Sequence, residues 1–252
     1  MTVLITGAAS GIGLQLALYC TKLNMDIILV DQDKSRLQKI KNDLVSIKKT
    51  ITLDLSNEEN CYLLYEKVKD DEIDFLINNA GFGLFGEFYE TSIETEMKMV
   101  DLNIRSYHIL TKLFLRDMLK RDSGYILNIC SSAGFLFAPR MSTYYATKNY
   151  ITKLTIGISE EIKKVSNNVT ITALCPGKVN TDFYVTAKGD IKSSASDGFF
   201  VAKKGIDSCF KGKNLVVPGI NMKLLLFFKR FISYNLLGKI MYNRHIPRDF
   251  RD

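Results

Sequence analysis

The 252-residue sequence predicts an α/β fold in which a parallel sheet of about seven strands lies between two layers of helices. Three observations support this prediction. Short β-branched runs alternate with longer segments of helical spacing, the runs are apolar on both faces, and no repeat or Pro/Ser-rich linker interrupts the pattern. We therefore expect residues 1–252 to form a single domain, in which residues 211–252 are a basic, amphipathic C-terminal extension.

Seven short apolar runs supply the predicted strands. In chain order they are Val3–Thr6, Ile27–Asp31, Ile51–Asp54, Phe75–Asn78, Tyr125–Cys130, Val169–Cys175 and Leu215–Val217. Helical spacing lies between them at Leu14–Leu23, Ser35–Ser46, Glu58–Lys69, Glu94–Lys120 and Tyr144–Lys164. Residues 183–205 are polar and contain Gly and Ser, which indicates a mobile lid. Alternation at this rhythm favours right-handed crossovers between parallel strands.

A glycine-rich turn joins the first predicted strand to the first predicted helix. Residues 6–13 read Thr-Gly-Ala-Ala-Ser-Gly-Ile-Gly. Gly7 can make a tight turn, Gly11 lets the backbone approach a pyrophosphate, and Gly13 lets helix and strand pack closely. The turn predicts dinucleotide binding, although its GxxxGxG spacing differs from GxGxxG and a plain glycine turn is the alternative. The residues placed at the cofactor are Gly7, Ser10, Gly11, Ile12 and Gly13.

An acidic residue ends the second predicted strand. Asp31 lies 18 positions after the last glycine of the turn. A carboxylate there can accept hydrogen bonds from both hydroxyls of an adenine ribose, and it would repel a 2′-phosphate. No basic residue stands at Ser10 or Gln32 to bind such a phosphate, although Lys34 or Arg36 could reach one. The sequence therefore favours NAD as the cofactor, with NADP as the alternative.

Tyr144 and Lys148 are four positions apart on a predicted helix and therefore lie on one face of it. A phenol titrates at about pH 10, and a neighbouring ammonium favours the phenolate, so Lys148 would lower the pKa of Tyr144. An oxidised nicotinamide would add positive charge and let Tyr144 act as acid or base near neutral pH. Ser131 and Ser132 end the fifth strand, where a hydroxyl could polarise a carbonyl. On spacing alone such a pair is common, and Tyr145 is an alternative as the buried tyrosine.

Taken together, these motifs resemble those of the short-chain dehydrogenase/reductase family in its single-domain form. The resemblance runs from Val3 to about Asp182. Its motifs are Thr6-Gly7-xxx-Gly11-Ile-Gly13, Asp54, Asn78-Asn79-Ala80-Gly81, Asn103, Ser131, Tyr144-xxx-Lys148 and Pro176-Gly177-xxx-Thr181. Ser131 rather than Ser132 matches the family's serine, because it lies 13 residues before Tyr144. The implied fold is a Rossmann-like, doubly wound α/β/α sandwich.

The resemblance implies a role for each matched residue. Tyr144 would exchange a proton with the substrate oxygen, Ser131 would orient the carbonyl or alcohol, and Lys148 would bind the nicotinamide ribose. Asn103 would hold a water that links Lys148 to solvent, and Asp54 would contact the adenine amino group. The other implied cofactor contacts are Leu55, Asn79, Ala80, Gly81, Pro176, Gly177, Val179 and Thr181.

The implied activity is the NAD(P)(H)-dependent interconversion of an alcohol and a ketone or aldehyde by hydride transfer. Apolar side chains in the loops after the fourth, fifth and sixth strands predict an apolar substrate, unless they pack against the tail. They are Phe82, Leu84, Phe85, Phe135, Leu136, Phe137, Met141, Phe183 and Tyr184. The alternative function is a catalytically silent, NAD-sensing protein whose tail docks a partner or membrane. Family members are commonly dimers or tetramers, so a homodimer or homotetramer is also implied.

The formal net charge of +7 resides in the C-terminal extension. Residues 211–252 contain nine basic and two acidic residues, whereas the first 210 residues sum to zero. A neutral body argues against nucleic-acid binding. Within the extension, Met222–Tyr242 has the spacing of an amphipathic helix. We expect this helix to close the substrate pocket or contact a second subunit, rather than to lie on an anionic membrane surface.

The cysteines argue against a disulfide framework and against a metal site. There are five of them, widely spaced and without a CxxC pair. A reduced compartment is therefore expected. No run of apolar residues is long enough to span a membrane and no secretory leader is recognisable, so the protein is expected to be cytoplasmic.

Overall fold

The computed structural model describes residues 1–181, 183, 187, 189–191 and 195–247. Its strands are β1 (Thr2–Thr6), β2 (Asp26–Asp31), β3 (Ile47–Thr52), β4 (Phe75–Asn78), β5 (Gly124–Ile129), β6 (Val169–Leu174), β7 (Gly189–Ile191), β8 (Leu215–Val216) and β9 (His245–Pro247). One parallel sheet has the order β3-β2-β1-β4-β5-β6-β8, while β7 and β9 pair antiparallel outside it. The strand order reverses direction next to β1, so the carboxyl ends of β1 and β4 flank a crevice.

Helices connect successive strands of the sheet, and the last two helices follow its final strand, β8. They are α1 (Gly11–Lys22), α2 (Lys34–Asp43), α3 (Glu58–Val68), α4 (Ile93–Val100), α5 (Ser106–Lys120), α6 (Ser142–Ile162), α7 (Gly198–Phe210), α8 (Ile220–Phe228) and α9 (Tyr234–Arg244). A π-helical turn at Asp101–Arg105 joins α4 to α5. Short 3₁₀ turns lie at Lys69–Asp71, Ser132–Phe135 and Lys229–Phe231.

Apolar side chains cover both faces of the sheet, because successive residues of a strand point to opposite sides. Ile5 of β1 belongs to a core that includes Leu16 of α1 and Ile206 of α7. Its neighbour Leu4 belongs to a second core, with Leu64 of α3 and others from α5. The predicted α/β/α sandwich with a seven-stranded parallel sheet is therefore confirmed. All five cysteines are free and buried within these layers.

A buried polar network ties β4 to β5 beneath the carboxyl edge of the sheet. Asn78 Nδ2 donates to Asn128 Oδ1 at 2.9 Å and to Thr111 Oγ1 at 3.1 Å. Asn128 Nδ2 donates to Thr155 Oγ1 at 2.9 Å, which extends the network to α6. Since buried polar groups are costly without partners, this network favours one register of the two strands and of the helix behind them.

Two predicted elements differ from those observed. The third strand is at Ile47–Thr52 rather than Ile51–Asp54. It is the edge of the sheet, and only Ile47 and Ile51 on it are buried, so it lacks the continuous apolar run used to find the other strands. The long helix predicted at Glu94–Lys120 is interrupted by the π-helical turn between α4 and α5.

The predicted lid is wrong over its C-terminal part. Residues 198–210 form α7, which buries Gly198, Val201 and Gly205 against α1 and the sheet. Asp197 caps this helix by accepting a hydrogen bond from the Phe200 amide at 2.9 Å. The lid residues 184–186, 188 and 192–194 lie outside the described residues, as do residues 182 and 248–252.

The C-terminal extension forms two helices rather than one. After α8 the chain turns at Lys229–Phe231 and is extended at Ile232. Ser233 Oγ then accepts a hydrogen bond from the Leu236 amide at 3.3 Å, so a serine begins α9. Buried Leu237 and Met241 of α9 pack in a cluster with Phe85 and Met141. In the described part of the chain, no helix has the length and apolar character needed to cross a membrane.

Candidate active site

The glycine turn between β1 and α1 is held in place by the end of β4. Thr6 Oγ1 accepts hydrogen bonds from the amides of Asn79 and Ala80 at 2.9 and 3.1 Å. Asn79 Nδ2 donates to the carbonyl oxygens of Thr6 and Gly7 at 3.0 and 2.8 Å. Asn79 therefore fixes the turn as well as facing the cavity described below.

The backbone of the turn requires glycine. Gly7 and Gly11 have φ of +62° and +53°, a region that favours residues without a Cβ. A Cβ on Gly13 would overlap the carbonyl oxygen of Gly7. Ser10, the N-cap residue of α1, is extended and forms no side-chain hydrogen bond to the helix. The Ser10 side chain therefore does not cap the first amides of α1. These amides lie at the N-terminal end of the helix, which is the end that favours anions.

A cavity of about 410 Å³ extends from this turn along the carboxyl edge of the sheet. The predicted site residues on its wall are Gly7, Ser10, Gly11, Ile12, Asp31, Asp54, Leu55, Asn79, Ala80, Gly81, Ser131, Tyr144, Lys148, Pro176, Gly177, Val179 and Thr181. Gly13 and Asn103 do not line the cavity and lie behind its wall. The structure thus brings together residues from seven parts of the sequence at one edge of the sheet.

One end of the cavity is acidic. Asp31 Oδ2 accepts a hydrogen bond from the Ala9 amide at 2.9 Å, and Oδ1 accepts one from the Asp33 amide at 3.0 Å. Arg36 also lines this end, with its Nε 3.3 Å from Asp33 Oδ2. A carboxylate and a guanidinium therefore both lie within reach of a ligand here. The sequence indicates only that Arg36 could reach a phosphate.

Asp54 lies between Ser56 and Lys98. Its Oδ1 accepts hydrogen bonds from the Ser56 amide at 3.0 Å and from the Ser56 hydroxyl at 2.7 Å, and its Oδ2 is 2.9 Å from Lys98 Nζ. Burial raises the pKa of Asp54, but the bonds to Ser56 and Lys98 outweigh this and hold its pKa below the usual value. The side chain is thus ionised and oriented before any ligand binds.

Tyr144, Ser131 and Lys148 meet at the carboxyl end of β5. Lys148 is almost fully buried, and its Nζ donates to the Ile129 carbonyl oxygen at 3.0 Å. Ser131 Oγ accepts a hydrogen bond from the Ala133 amide at 3.1 Å, which starts the 3₁₀ turn. Tyr144 and Ser131 line both this cavity and a smaller one beside it, and the Ser131 hydroxyl lowers the pKa of the phenol. Tyr144 and Lys148, four positions apart on α6, both lie on the wall of the first cavity.

The pKa of Tyr144 differs from the expectation. Burial raises it to about 12, while the hydrogen bond with Ser131 lowers it to a smaller extent. Lys148 is not among the groups that shift it, so the pair alone does not produce a phenol that ionises near neutral pH. Burial also lowers the pKa of Lys148 to about 8, against a smaller opposing effect of the Cys130 and Cys175 thiols.

Asn103 lies in the π-helical turn and is completely buried. Its Nδ2 donates to the Phe82 carbonyl oxygen at 2.9 Å and to Thr147 Oγ1 at 3.1 Å, and its Oδ1 accepts from the Phe82 amide at 3.1 Å. A Cβ on Gly81 would lie 2.8 Å from Asn103 Oδ1 and 3.6 Å from Lys148 Nζ. Its side chain therefore holds the loop after β4 against α6, close to Lys148.

The sequence gives little indication of Cys130, whereas the expectation that the tail lies against a pocket agrees with the structure. Cys130 lines the cavity beside Lys148, and its only signal was its position before Ser131. A second, smaller cavity adjoins Ser131 and Tyr144. Its wall is divided about equally between polar and apolar surface, and its apolar side chains include Leu136, Met141, Phe183, Met222, Leu225 and Met241. Met222 and Leu225 belong to α8 and Met241 to α9, so the C-terminal helices form one side of this pocket.

The predicted apolar loop residues divide among three places. Phe82 lines the long cavity along the carboxyl edge of the sheet, and Phe183 lines both this cavity and the small pocket beside it. Phe85 is buried in the cluster that includes α9. Phe135 and Phe137 line a third, outer cavity together with Lys229. Tyr184 lies outside the described residues. Some of the predicted apolar residues therefore line a cavity, such as Phe82 and Phe183, while Phe85 packs against the tail.

The family model for short chain dehydrogenases matches residues 1–191. An uncharacterized oxidoreductase of Staphylococcus saprophyticus is 32% identical over 183 residues, which cover 70% of this chain and 77% of that protein. A second uncharacterized oxidoreductase of the same organism is 35% identical over 187 residues, covering 71% and 74%. The chain therefore belongs to the short-chain dehydrogenase/reductase family of oxidoreductases.

Solved structures share the fold. A short-chain dehydrogenase from Sphingobium yanoikuyae in complex with NADPH has a TM-score of 0.81 at 24% identity, covering 91% of this chain and 93% of its own. A short chain dehydrogenase/reductase from Burkholderia phymatum in complex with NAD has a TM-score of 0.82 at 21% identity, covering 91% and 92%. The bulky-bulky ketone specific alcohol dehydrogenase from Comamonas testosteroni has a TM-score of 0.76 at 24% identity, covering 91% and 92%.

The pKa of Lys148 gives the stability of the protein a pH dependence. Between about pH 8 and the ordinary value of 10.5, the unfolded chain holds the lysine proton and the folded chain does not. The free energy of unfolding of the unsubstituted protein therefore rises with pH through this window. Lys148→Met should be more stable at about pH 7, by on the order of 2 kcal/mol after allowing for the lost hydrogen bond to Ile129.

Chemical unfolding at a series of pH values, without added nucleotide, measures this effect. The difference between Lys148→Met and the unsubstituted protein should shrink as the pH approaches about 10.5. Lys153 lies on the same helix and is exposed, so Lys153→Met serves as the matched control and should leave the pH dependence unchanged. Parallel curves for Lys148→Met and the unsubstituted protein would contradict the prediction.

Proposed function

We propose that this protein interconverts an apolar alcohol and the corresponding ketone or aldehyde by NAD(H)-dependent hydride transfer. The observation that carries the proposal is the position of Tyr144 and Ser131, which line both the long cavity and the small pocket, while Lys148 lies on the wall of the long cavity. A phenol and a hydroxyl that line the same pocket can together hold one carbonyl or alcohol oxygen. The apolar side chains of that pocket, such as Leu136 and Met222, favour a substrate with an apolar part beside that oxygen.

The residues along the cavity fit a nicotinamide dinucleotide. The turn has positive φ at Gly7 and Gly11, and its backbone together with the start of α1 would hold the pyrophosphate. Asp31 would accept hydrogen bonds from the adenine ribose, Asp54 would lie at the adenine, and Lys148 would hold the nicotinamide ribose. When bound, the nicotinamide would supply or accept the hydride, while the protein orients the substrate.

Tyr144 is the proposed proton donor to the substrate oxygen in the direction of reduction. With its pKa raised to about 12 by burial, the phenol carries its proton at neutral pH. Ser131 would hold the same oxygen and keep it in line with the phenol. In the direction of oxidation Tyr144 must lose its proton, and a positively charged oxidised nicotinamide would favour the phenolate.

We propose NAD rather than NADP as the cofactor. Both oxygens of Asp31 are oriented by backbone amides, so this carboxylate is fixed at the ribose end of the cavity. A 2′-phosphate would meet its negative charge. Arg36 lies at the same end, but its Nε is already 3.3 Å from the Asp33 carboxylate. The relatives of known structure that bind NAD and NADPH support a nicotinamide cofactor without choosing between the two.

Reduction of a panel of apolar ketones and aldehydes, followed by nicotinamide absorbance, tests this function. We expect turnover with NADH and a higher kcat/KM for NADH than for NADPH. Asp31→Ser should lower the ratio of kcat/KM for NADH to kcat/KM for NADPH roughly 10- to 100-fold. The substitution removes a charged group that would accept a hydrogen bond from the ribose of NADH and would repel the 2′-phosphate of NADPH. Asp43→Ser is the matched control, since Asp43 is an exposed carboxylate at the end of α2 and does not line the cavity.

Two outcomes would contradict the proposal. NADH binding without turnover of any member of the panel would favour the silent, NAD-sensing alternative. An equal change of cofactor preference in Asp31→Ser and Asp43→Ser would show that Asp31 does not select NAD at this end of the cavity.

A further inference from the structure

The C-terminal helix α8 has two apolar faces, and only one of them packs against the protein. Its inner face consists of Met222, Leu225 and Leu226, which contact the pocket wall or the apolar cluster behind it. A second apolar row lies on the outside. We define the outer stripe as Ile220, Leu224, Phe227 and Phe231. Their spacing of four, three and four residues places them on one side of a helix.

The outer stripe is well exposed to solvent. Ile220 and Phe231 at its ends are 74% and 77% exposed, and Phe227 in the middle is 51% exposed. The Phe227 ring contacts the Phe231 ring, with centroids 5.8 Å apart, and also the adjacent exposed Phe228 ring at 5.5 Å. These rings contact one another but remain exposed to solvent. An exposed cluster of apolar side chains is typical of a surface that binds another protein or a membrane.

Basic residues accompany the outer stripe. Lys223 follows its first position by one turn and is exposed, as is Lys239 on α9. Between Asp207 and Asp249 the sequence contains no acidic residue. Two copies of this surface facing one another would therefore oppose like charges, which disfavours a second copy as the occupant. An anionic surface with an apolar interior would match both the charge and the stripe.

We propose that the outer stripe of α8, with Lys223 and Lys239, docks on the surface of an anionic lipid bilayer. The phenylalanine and aliphatic side chains would enter the boundary between headgroups and acyl chains, and the lysines would meet the headgroups. The helix would lie in the plane of the surface. Because the inner face of α8 lines the pocket beside Tyr144, docking would hold that pocket next to the bilayer.

Flotation of the full chain with vesicles tests the proposal independently of turnover. We expect the protein to bind vesicles of phosphatidylcholine mixed with phosphatidylglycerol. Binding to vesicles of phosphatidylcholine alone should be about 25-fold weaker, from about fivefold for each of the two lysines. High salt should reduce binding to the mixed vesicles, because headgroup attraction is screened.

Variants separate the apolar and the charged parts of the surface. Phe227→Ser combined with Phe231→Ser should weaken binding about 100-fold, because two phenylalanine side chains lose a burial site. Lys223→Gln combined with Lys239→Gln should weaken it about 25-fold. Their matched controls are Phe200→Ser, a 49% exposed phenylalanine on α7, and Lys41→Gln combined with Lys204→Gln, two exposed lysines elsewhere.

The substituted side chains are exposed, so thermal melting should show intact folding in every variant. No binding to the mixed vesicles would overturn the proposal, as would an equal loss of binding in the control variants. Sedimentation velocity adds a third decisive outcome. If the protein does not bind vesicles and forms a dimer that dissociates in the Phe227→Ser, Phe231→Ser variant, a second copy occupies this surface and the proposal is wrong.

Discussion

Replacing Tyr144 by Phe is expected to lower kcat by about 10²- to 10⁴-fold, the usual contribution of a general acid, and to leave the Kd for NADH within about twofold. The substitution removes the proton donor but keeps the ring, which packs against Phe183 with centroids 5.4 Å apart. Single-turnover kinetics give the loss in the chemical step, and nicotinamide fluorescence gives the affinity. A large fall in affinity would instead indicate that Tyr144 acts chiefly in binding.

Tyr145 provides a matched control for this experiment. It is the next residue of α6 and is buried in the apolar cluster that includes Leu237 of α9. It lies on the wall of the small pocket and not of the long cavity. Tyr145→Phe should therefore retain kcat within about tenfold. Equal losses of kcat in the two variants would contradict the assignment of proton transfer to Tyr144. An unchanged kcat in Tyr144→Phe would contradict it directly.

Replacing Gly13 by Ala is expected to give the largest loss of stability and of cofactor binding from any single methyl group. The added Cβ would overlap the Gly7 carbonyl oxygen, which is backbone and cannot rotate away. It would also lie 2.6 Å from Asn79 Nδ2, the group that fixes the turn. The turn must move, so we expect the free energy of unfolding to fall by about 3 kcal/mol or more.

Two further glycines make the test specific. Gly157→Ala on α6 adds a methyl group to a helix where no heavy atom lies within 4 Å, so it should stabilise the protein by up to about 1 kcal/mol. Gly11→Ala meets only ordinary contact with Thr181, 3.6 Å away, but strains the backbone at φ +53°. It should fold and bind NADH more weakly. Normal NADH binding by Gly13→Ala and Gly11→Ala would contradict the proposed cradle.

The sequence predicts best those parts of the fold where the cause is local. The glycine turn is recognisable because positive φ at Gly7 and Gly11 needs glycine whatever surrounds it. The central strands are recognisable because burial on both faces favours apolar residues at most of their positions. β3 fails this criterion, since one of its sides is solvent and Lys48 and Lys49 interrupt the run.

Features that depend on contacts between residues far apart in the sequence cannot be predicted from local sequence patterns. Gly198 and Gly205 suggest a loop, yet they let α7 lie close to its neighbours, where a Cβ on Gly205 would meet the Leu174 side chain. The role of Asn103 in holding Phe82 depends on a loop 21 residues earlier in the chain. The raised pKa of Tyr144 depends on burial, which the spacing of Tyr144 and Lys148 does not specify.

The buried cysteines supply the protein with internal reporters of its own opening. Cys20 of α1 and Cys209 of α7 lie in the core on one face of the sheet. Cys61 of α3 lies in the core on the opposite face. Burial raises the pKa of each of these three thiols to about 12, so the thiolate that reacts with an alkylating reagent is scarce while the layers stay closed. The order in which the thiols become labelled would therefore reveal which side of the sheet loosens first.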